Sequence, residues 1–349
     1  MGFPSTEELA GWIGLEDADA VRALHARAYA VKEAVVGRRV SMRGLVEAGN
    51  VCAKDCRYCG IRKSNAHVAR YRLSKEEIVA CARFAAESGY GSVVIQSGEV
   101  EGEAHTRFVE DVLRAIAPLR LGVTLSLGEQ TEEVYRRWRD AGATRYLLRI
   151  ETSNRALYAA LHPADCSFDR RVECLHALRR CGYQVGTGVM AGLPGQTLED
   201  LARDIAFFRD IDADMIGMGP YIPHPDTPLA AEARDWSAER ALRLGLNMIA
   251  AARIALRDVN IAAATALQAL DPLGREKGLL AGANVVMPNV TDVKYRAQYK
   301  LYADKPCLDE NAALCRGCLQ RRIESIGETV LWGVPGDSAH FFARTRPVL

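Results

Sequence analysis

Residues 40–60 read VSMRGLVEAGNVCAKDCRYCG, and residues 74–87 read SKEEIVACARFAAE. In the first stretch Val40–Ala48 predicts a β-strand that runs directly into a loop carrying three cysteines. In the second, Ser74 and Glu77 form a capping box that opens a helix to about Glu87. Strand, loop and helix make one βα unit, and the pattern recurs. Strand-like runs follow at Ser92–Ile95, Gly122–Leu127, Tyr146–Ile150, Val185–Met190, Met215–Met218, Ile261–Ala264 and Val285–Met287. Helical segments lie between them. One has Phe108, Val112, Ala115 and Ile116 on a face, and Glu132–Ala141 spaces Val134, Trp138 and Ala141 likewise. Another is capped by Thr197 and Asp200 and buries Leu198, Leu201, Ile205 and Phe208; Ala238–Leu256 is long and amphipathic. About eight such units in series predict an α/β fold with right-handed crossovers, closed into a (βα)8 TIM-type barrel. A doubly wound sheet would carry a Gly-x-Gly-x-x-Gly turn after its first strand, and none occurs there. Residues 1–38 predict a helical N-terminal extension, 39–305 the barrel and 306–349 a C-terminal segment.

At 349 residues, 49% hydrophobic and 26% charged, the composition is that of a globular protein with a large core. The formal net charge is +1 with both signs interspersed, which gives no electrostatic footprint for nucleic acid. No stretch approaches the roughly 18 apolar residues that span a bilayer. The polar start MGFPSTEE is not a secretory leader, so a cytoplasmic protein is expected.

The ten cysteines are unevenly placed. Cys52, Cys56 and Cys59 crowd the first βα loop with C-x3-C-x2-C spacing, and Tyr58 precedes the last of them. Cys307, Cys315 and Cys318 form C-x7-C-x2-C. Cys81, Cys166, Cys174 and Cys181 are scattered and read as packing residues. Disulfides are not expected in a reducing compartment. Three thiolates on one loop, at the face where barrels carry their chemistry, point to iron–sulfur ligation. They would hold three irons of a 4Fe–4S cube and leave the fourth open to a chelating ligand. A structural zinc ion normally takes four protein ligands, and the nearest imidazole, His67, reads as a surface residue. For the C-terminal trio, structural zinc, metal-free thiols and an auxiliary iron–sulfur cluster all fit the spacing.

Glu99 and Glu151 follow strands and could accept hydrogen bonds from an ammonium or hydroxyls. Arg43 and Arg149 lie on strands at positions that point into a barrel, where a charge is costly unless it meets an anion. The donor fan of an arginine suits such a partner.

The cysteine loop resembles the hallmark of the radical S-adenosylmethionine (SAM) superfamily. Further blocks sharpen the likeness: Gln96–Glu99, Thr124–Glu129, Arg145–Thr152, Gly192–Thr197, Pro223–Leu229 and Gly282–Asn289 resemble, in the same order, the HydE family of FeFe-hydrogenase maturases. The resemblance implies a 4Fe–4S cluster on Cys52, Cys56 and Cys59 that reductively cleaves SAM to a 5′-deoxyadenosyl radical. It implies a role in assembling the diiron subsite of the hydrogenase H-cluster, on a small anionic substrate, a cysteine-ligated Fe(CO)2(CN) unit. It implies SAM contacts from Tyr58, Ser97, Glu151, Arg171 and the backbone of Ile222. Arg43, Gln96, Thr124, Ser126, Arg149, Thr265, Met287 and Tyr302 match positions that bind substrate, while Ala264 departs from relatives that can carry a second threonine there. An auxiliary 2Fe–2S cluster on Cys307, Cys315 and Cys318 is the family's version of the C-terminal trio. Partners would be other hydrogenase maturation proteins and a reducing electron donor, with neither nucleic acid nor membrane. The rival readings are a methylornithine synthase-like or biotin synthase-like radical enzyme, and an iron–sulfur carrier without catalysis.

Overall fold

Strand β1 (Arg39–Gly49) lies beside β2 (Ser92–Ser97). Then β3 (Gly122–Ser126), β4 (Arg145–Leu147), β5 (Gln184–Thr187), β6 (Met215–Ile216) and β7 (Asn260–Ile261) follow in sequence order, every neighbouring pair parallel. β8 (Val285–Val286) pairs with the other side of β1. The ring closes where Ala262 bridges Val285: Asn284 N–H donates to Ile261 O and Ala263 N–H to Val285 O, both at 2.9 Å. The computed structural model describes residues 2–308 and 312–345, with backbone alone for 312–315. Its architecture is the predicted TIM-like barrel.

Strands β4, β6 and β7 end at Leu147, Ile216 and Ile261, short of the predicted Ile150, Met218 and Ala264, and two further readings differ. The run predicted as one strand over Val185–Met190 is split, β5 ending at Thr187 and a separate parallel pair, Met190–Ala191 with Gly219–Pro220, resuming beyond it. At the break the backbone of Gly188 approaches its neighbour so closely that a Cβ would lie 2.0 Å from the Gly217 carbonyl oxygen. Both capping boxes form, at Ser74/Glu77 and Thr197/Asp200. The helix opened by the second, Leu198–Asp210, buries Leu201, Ile205 and Phe208, but Leu198 is 39% exposed. It sits in the first turn and leans outward over Gly14.

The N-terminal helices, Thr6–Ile13 and Ala18–Val35, pack on helices Leu198–Asp210 and Ala238–Leu256. From the second of them Lys32 reaches Glu328 at 2.8 Å, both side chains fully buried. Beyond Glu328, β9 (Thr329–Leu331) pairs in parallel with residues 39–41 of β1. Residues 335–338 then cross the end of the barrel at which the strands begin. Gly336 O accepts from Arg43 and from Asn260 Nδ2, each at 3.0 Å. Pro335 O accepts from Arg145 at 2.9 Å, and Ser338 N–H donates to Gln184 Oε1 at 3.1 Å. One end of the barrel is therefore stoppered by the chain itself, and access is left to the end that carries the βα loops.

The segment after the stopper is pinned by His340, whose ring nitrogens lie 3.1 Å from Asp258 Oδ1 and 2.6 Å from Asp212 Oδ1. Arg344 also meets Asp212, and Arg344 and Arg179 both meet Asp214. The hydrogen bond to Asp258, with Asp212 in support, holds the imidazole protonated up to about pH 9, against an ordinary value of 6.5. The folded protein thus keeps a proton that the unfolded chain releases between those values. The resulting stability is complete below pH 6.5 and disappears as pH rises through 9. Equilibrium unfolding across that window is expected to lose on the order of 3 kcal/mol. The loss should flatten in His340→Gln; an equal loss in that variant would assign it to other groups.

Candidate active site

The loop after β1 turns back under β2. Cys52 Sγ accepts backbone N–H bonds from Lys54 and Glu99, both at 3.4 Å, and Ala53 N–H donates to Glu99 O at 2.8 Å. This close approach demands Gly98: a Cβ there would lie 2.4 Å from Val51 O and 2.8 Å from Cys52 Cβ. Cys59 N–H closes a tight turn onto Cys56 O at 3.2 Å. Tyr58 between them is half-buried against His162, hydroxyl to Nε2 at 3.2 Å. Burial pushes all three thiols up, Cys59 to about 12, so metal coordination must displace protons that solvent would not readily take.

The three cysteines on this loop fit a cube-shaped cluster. Among the described residues no three His, Cys, Asp or Glu side chains converge as ligands of one metal ion would. Thiolates on three different irons of a cube need no such convergence, only a shared face. Backbone N–H bonds to a cysteine sulfur and a glycine cradle beside it are the surroundings such a group requires.

Next to Cys59 opens a cavity of about 250 Å³ at the loop end of the barrel. It brings together Tyr58, Cys59, Gln96, Ser126, Arg149, Glu151, Ile222, Thr265, Met287 and Tyr302 of the sequence-derived candidates. Glu151 has left-handed backbone (φ 65°), a strained state for a glutamate. It is held by its own N–H on Gly188 O at 3.0 Å and by Met190 N–H on its carbonyl at 3.1 Å. Its carboxylate receives Arg149 in a two-pronged pair, Nε at 2.9 Å and Nη2 at 2.8 Å. Arg171 stands behind them, donating to Arg149 O at 3.0 Å and to Glu129 Oε1 at 2.5 Å. The next turn of chain is gripped from helix Leu198–Asp210: Asp204 Oδ1 accepts from both N–H and Oγ of Ser153 at 2.6 Å. Thr265 Oγ1 accepts from Arg275 at 2.9 Å, and Gln96 donates to the Tyr299 hydroxyl at 3.1 Å.

Three candidates lie elsewhere. Leu45 and Glu47 of β1 line the cavity, so Arg43, on the same face of the strand, points into the barrel one layer deeper. There it meets the stopper, with Asp337 as counter-charge and Arg145 as a like-charged neighbour. The negative partner that its inward position called for comes from within the chain. Thr124 is likewise one layer below Ser126 and pairs in register with Arg145. Ser97 faces an adjoining apolar pocket with Val51, His105 and Phe108. Of the C-terminal trio, Cys307 Sγ is 4.0 Å from Gln268 Nε2, and the Cys315 side chain lies outside the described residues.

Sequence reasoning missed three charges at the site. Glu47 and Lys305 form a buried ion pair on the cavity wall, and Glu129, 1% exposed, clamps both Arg170 and Arg171. The strand period that put Arg43 inward puts Glu47 inward too. Lys305 carries no local signal.

The profile of the radical SAM superfamily matches residues 46–208. Over 315 residues the chain is 44% identical to the FeFe-hydrogenase maturase subunit HydE of Thermotoga maritima, covering 90% of this chain and 88% of that one. The chain belongs to the HydE family of the radical SAM superfamily. It is 27% identical to 3-methylornithine synthase of Methanosarcina acetivorans over 81% of this chain and 78% of that protein. The crystal structure of methylornithine synthase superposes with a TM-score of 0.81 at 24% identity, over 94% of both chains, a likeness of fold. This HydE-family protein is accordingly an enzyme, and its family implies a 4Fe–4S cluster and SAM. No helix among the described residues is long and apolar enough to cross a membrane.

Proposed function

We propose that this enzyme acts in assembly of the diiron subsite of the FeFe-hydrogenase H-cluster, on a cysteine-ligated Fe(CO)2(CN) unit. The observation that carries the reading is the 44% identity to a HydE maturase subunit across nine-tenths of the chain. The cavity is compatible with it. Cys52, Cys56 and Cys59 would hold the cluster, which when bound supplies the electron that cleaves SAM to a 5′-deoxyadenosyl radical. Tyr58, Ser97, Glu151, Arg171 and the backbone of Ile222 would orient SAM. Arg149 and Lys305 on the cavity wall, paired with Glu151 and Glu47, would present N–H donors to an anionic substrate. Gln96, Ser126, Thr265 and Tyr302 add neutral donors, and Met287 fills the apolar wall that keeps water from a radical. Arg43 and Thr124 would act from beneath, by fixing β1 and β3. Cys307, Cys315 and Cys318 are the candidate ligands of an auxiliary 2Fe–2S cluster. Other hydrogenase maturation proteins and a reducing donor complete the expected partners.

The test is anaerobic turnover of the reconstituted enzyme with SAM, reductant and the iron–cysteine complex. Formation of 5′-deoxyadenosine should rise at least several-fold when the complex is added, with consumption of the complex. The reading fails if the complex has no effect while lysine is isomerised, the outcome expected of a methylornithine synthase. Absence of any 5′-deoxyadenosine would instead favour a carrier.

A further inference from the structure

The cysteine loop is closed by one side chain that neither the superfamily motif nor the proposed chemistry uses. Arg70 donates through Nη1 to Asn50 O at 2.7 Å and Ile61 O at 2.8 Å. Through Nη2 it donates to Arg62 O at 2.6 Å, Asn65 O at 3.1 Å and Lys63 O at 3.3 Å. Asn50 precedes Cys52 and residues 61–65 follow Cys59, so a single guanidinium ties the two ends of the loop together. The segment that presents it is itself fixed. Asn50, fully buried, donates Nδ2 to Ala69 O and accepts Tyr71 N–H at Oδ1, both at 2.8 Å, and Gly49 bridges Arg72 in antiparallel fashion.

The partners of Arg70 are all carbonyl oxygens. Three other cations of this loop are paired: Lys54 with Glu99 and Asp165, Arg57 with Glu232, Arg62 with Asp55. Among the described residues Arg70 forms no ion pair, and its guanidinium sits on the carbonyls of Asn50 and Ile61, each two residues from a cysteine of the loop. Such a residue does two things at once. Its planar fan sets the loop geometry, which an ammonium cannot reproduce. Its charge favours the more negative, reduced state of an adjacent iron–sulfur cluster, because net charge nearby sets the potential.

We propose that Arg70 is a positioning residue for the cluster loop, locking its two ends and fixing a positive charge that raises the potential of the cluster. The proposal rests on membership of the superfamily and is independent of the substrate.

Arg70→Gln removes fan and charge; Arg70→Lys keeps the charge and loses the fan. Arg72→Gln removes an exposed neighbouring cation that makes no ion pair among the described residues, and serves as control. In the full-length apoprotein, alkylation of Cys52, Cys56 and Cys59 by iodoacetamide, followed by mass spectrometry, should run about fivefold faster in both Arg70 variants and unchanged in Arg72→Gln. In the reconstituted proteins, the ratio of reduced to oxidised cluster at a fixed ambient potential should fall about threefold in Arg70→Gln. It should stay near the parent value in Arg70→Lys. If Arg70→Gln does not melt cooperatively or takes up no iron, Arg70→Lys carries both readings: fast alkylation with an unchanged potential supports the proposal. Unchanged alkylation in both Arg70 variants, a parental potential in Arg70→Gln, a shifted potential in Arg70→Lys, or equal effects of Arg72→Gln would each overturn it. None of these readouts involves a hydrogenase-derived substrate, so failure of the proposed function leaves them standing.

Discussion

Cys56→Ala is expected to reduce 5′-deoxyadenosine release from SAM to background while the apoprotein still melts cooperatively. The loop does not depend on this side chain for its shape. Its entry is held by Cys52 against the backbone of Lys54 and Glu99, its exit by the fan of Arg70 and by Asn65 Nδ2 on Gly60 O at 2.7 Å. Truncating a half-buried thiol to a methyl group should cost the fold only about 1 kcal/mol. The chemistry has no such redundancy. With two thiolates left, one iron loses its protein ligand, and the cube has no defined open corner to present to a chelating ligand. The assay is anaerobic, with dithionite as reductant and chromatographic detection of the nucleoside. Activity above about a tenth of the parent level, a change worth only 1.4 kcal/mol in the barrier, would show that the loop does not hold the reactive cluster.

Glu129→Ala should be the most destabilising single change around the site, by roughly 3–5 kcal/mol. Glu129 lies at 1% exposure with Arg171 Nε at 2.5 Å and Arg170 Nε at 3.0 Å. Arg171 is itself 8% exposed, with Glu99 as its only other carboxylate among the described residues, at 3.8 Å. Removing the closer partner leaves a buried guanidinium beside one distant charge, and that loss exceeds what a surface pair could show. The effect should also reach SAM. Arg171 donates to Arg149 O, and Arg149 grips Glu151 in its left-handed conformation. Denaturant unfolding should show a lower midpoint with unchanged slope, and calorimetric titration should show SAM affinity falling more than tenfold at a temperature where the variant is still folded. A variant that loses stability but binds SAM normally would confine Glu129 to a structural part.

Much of this was legible from local pattern. Val40–Ala48 and the Ser74/Glu77 box depend on nearest neighbours, and both appear as read, because strand period and capping are short-range effects. The three cysteines also fall on the loop after the first strand, as read, for the same reason. What was not legible depended on depth within the barrel. Alternation told that Arg43, Leu45 and Glu47 share a face, but not that Arg43 faces the stopper while Glu47 faces the cavity. That distinction is set by the register of residues 335–338, nearly three hundred positions away. Leu198 was read as buried from helical periodicity, yet at a first turn the stripe has already begun to leave the interface. Lys305 reaches Glu47 from a loop of no regular structure, where no periodicity exists to be read.

The segment that stoppers the barrel also dictates a timetable. β1 is made early, yet on the side it shares with β2 its residues 39–41 stay unpaired until Thr329–Leu331 arrive, nor can Arg145 meet Asp337 before then. Pairings this remote in sequence carry a high loop-closure cost and form late. During synthesis the half-made barrel must therefore wait with two buried-to-be arginines still hydrated and one strand edge bare. That state is open to aggregation and to helper proteins alike.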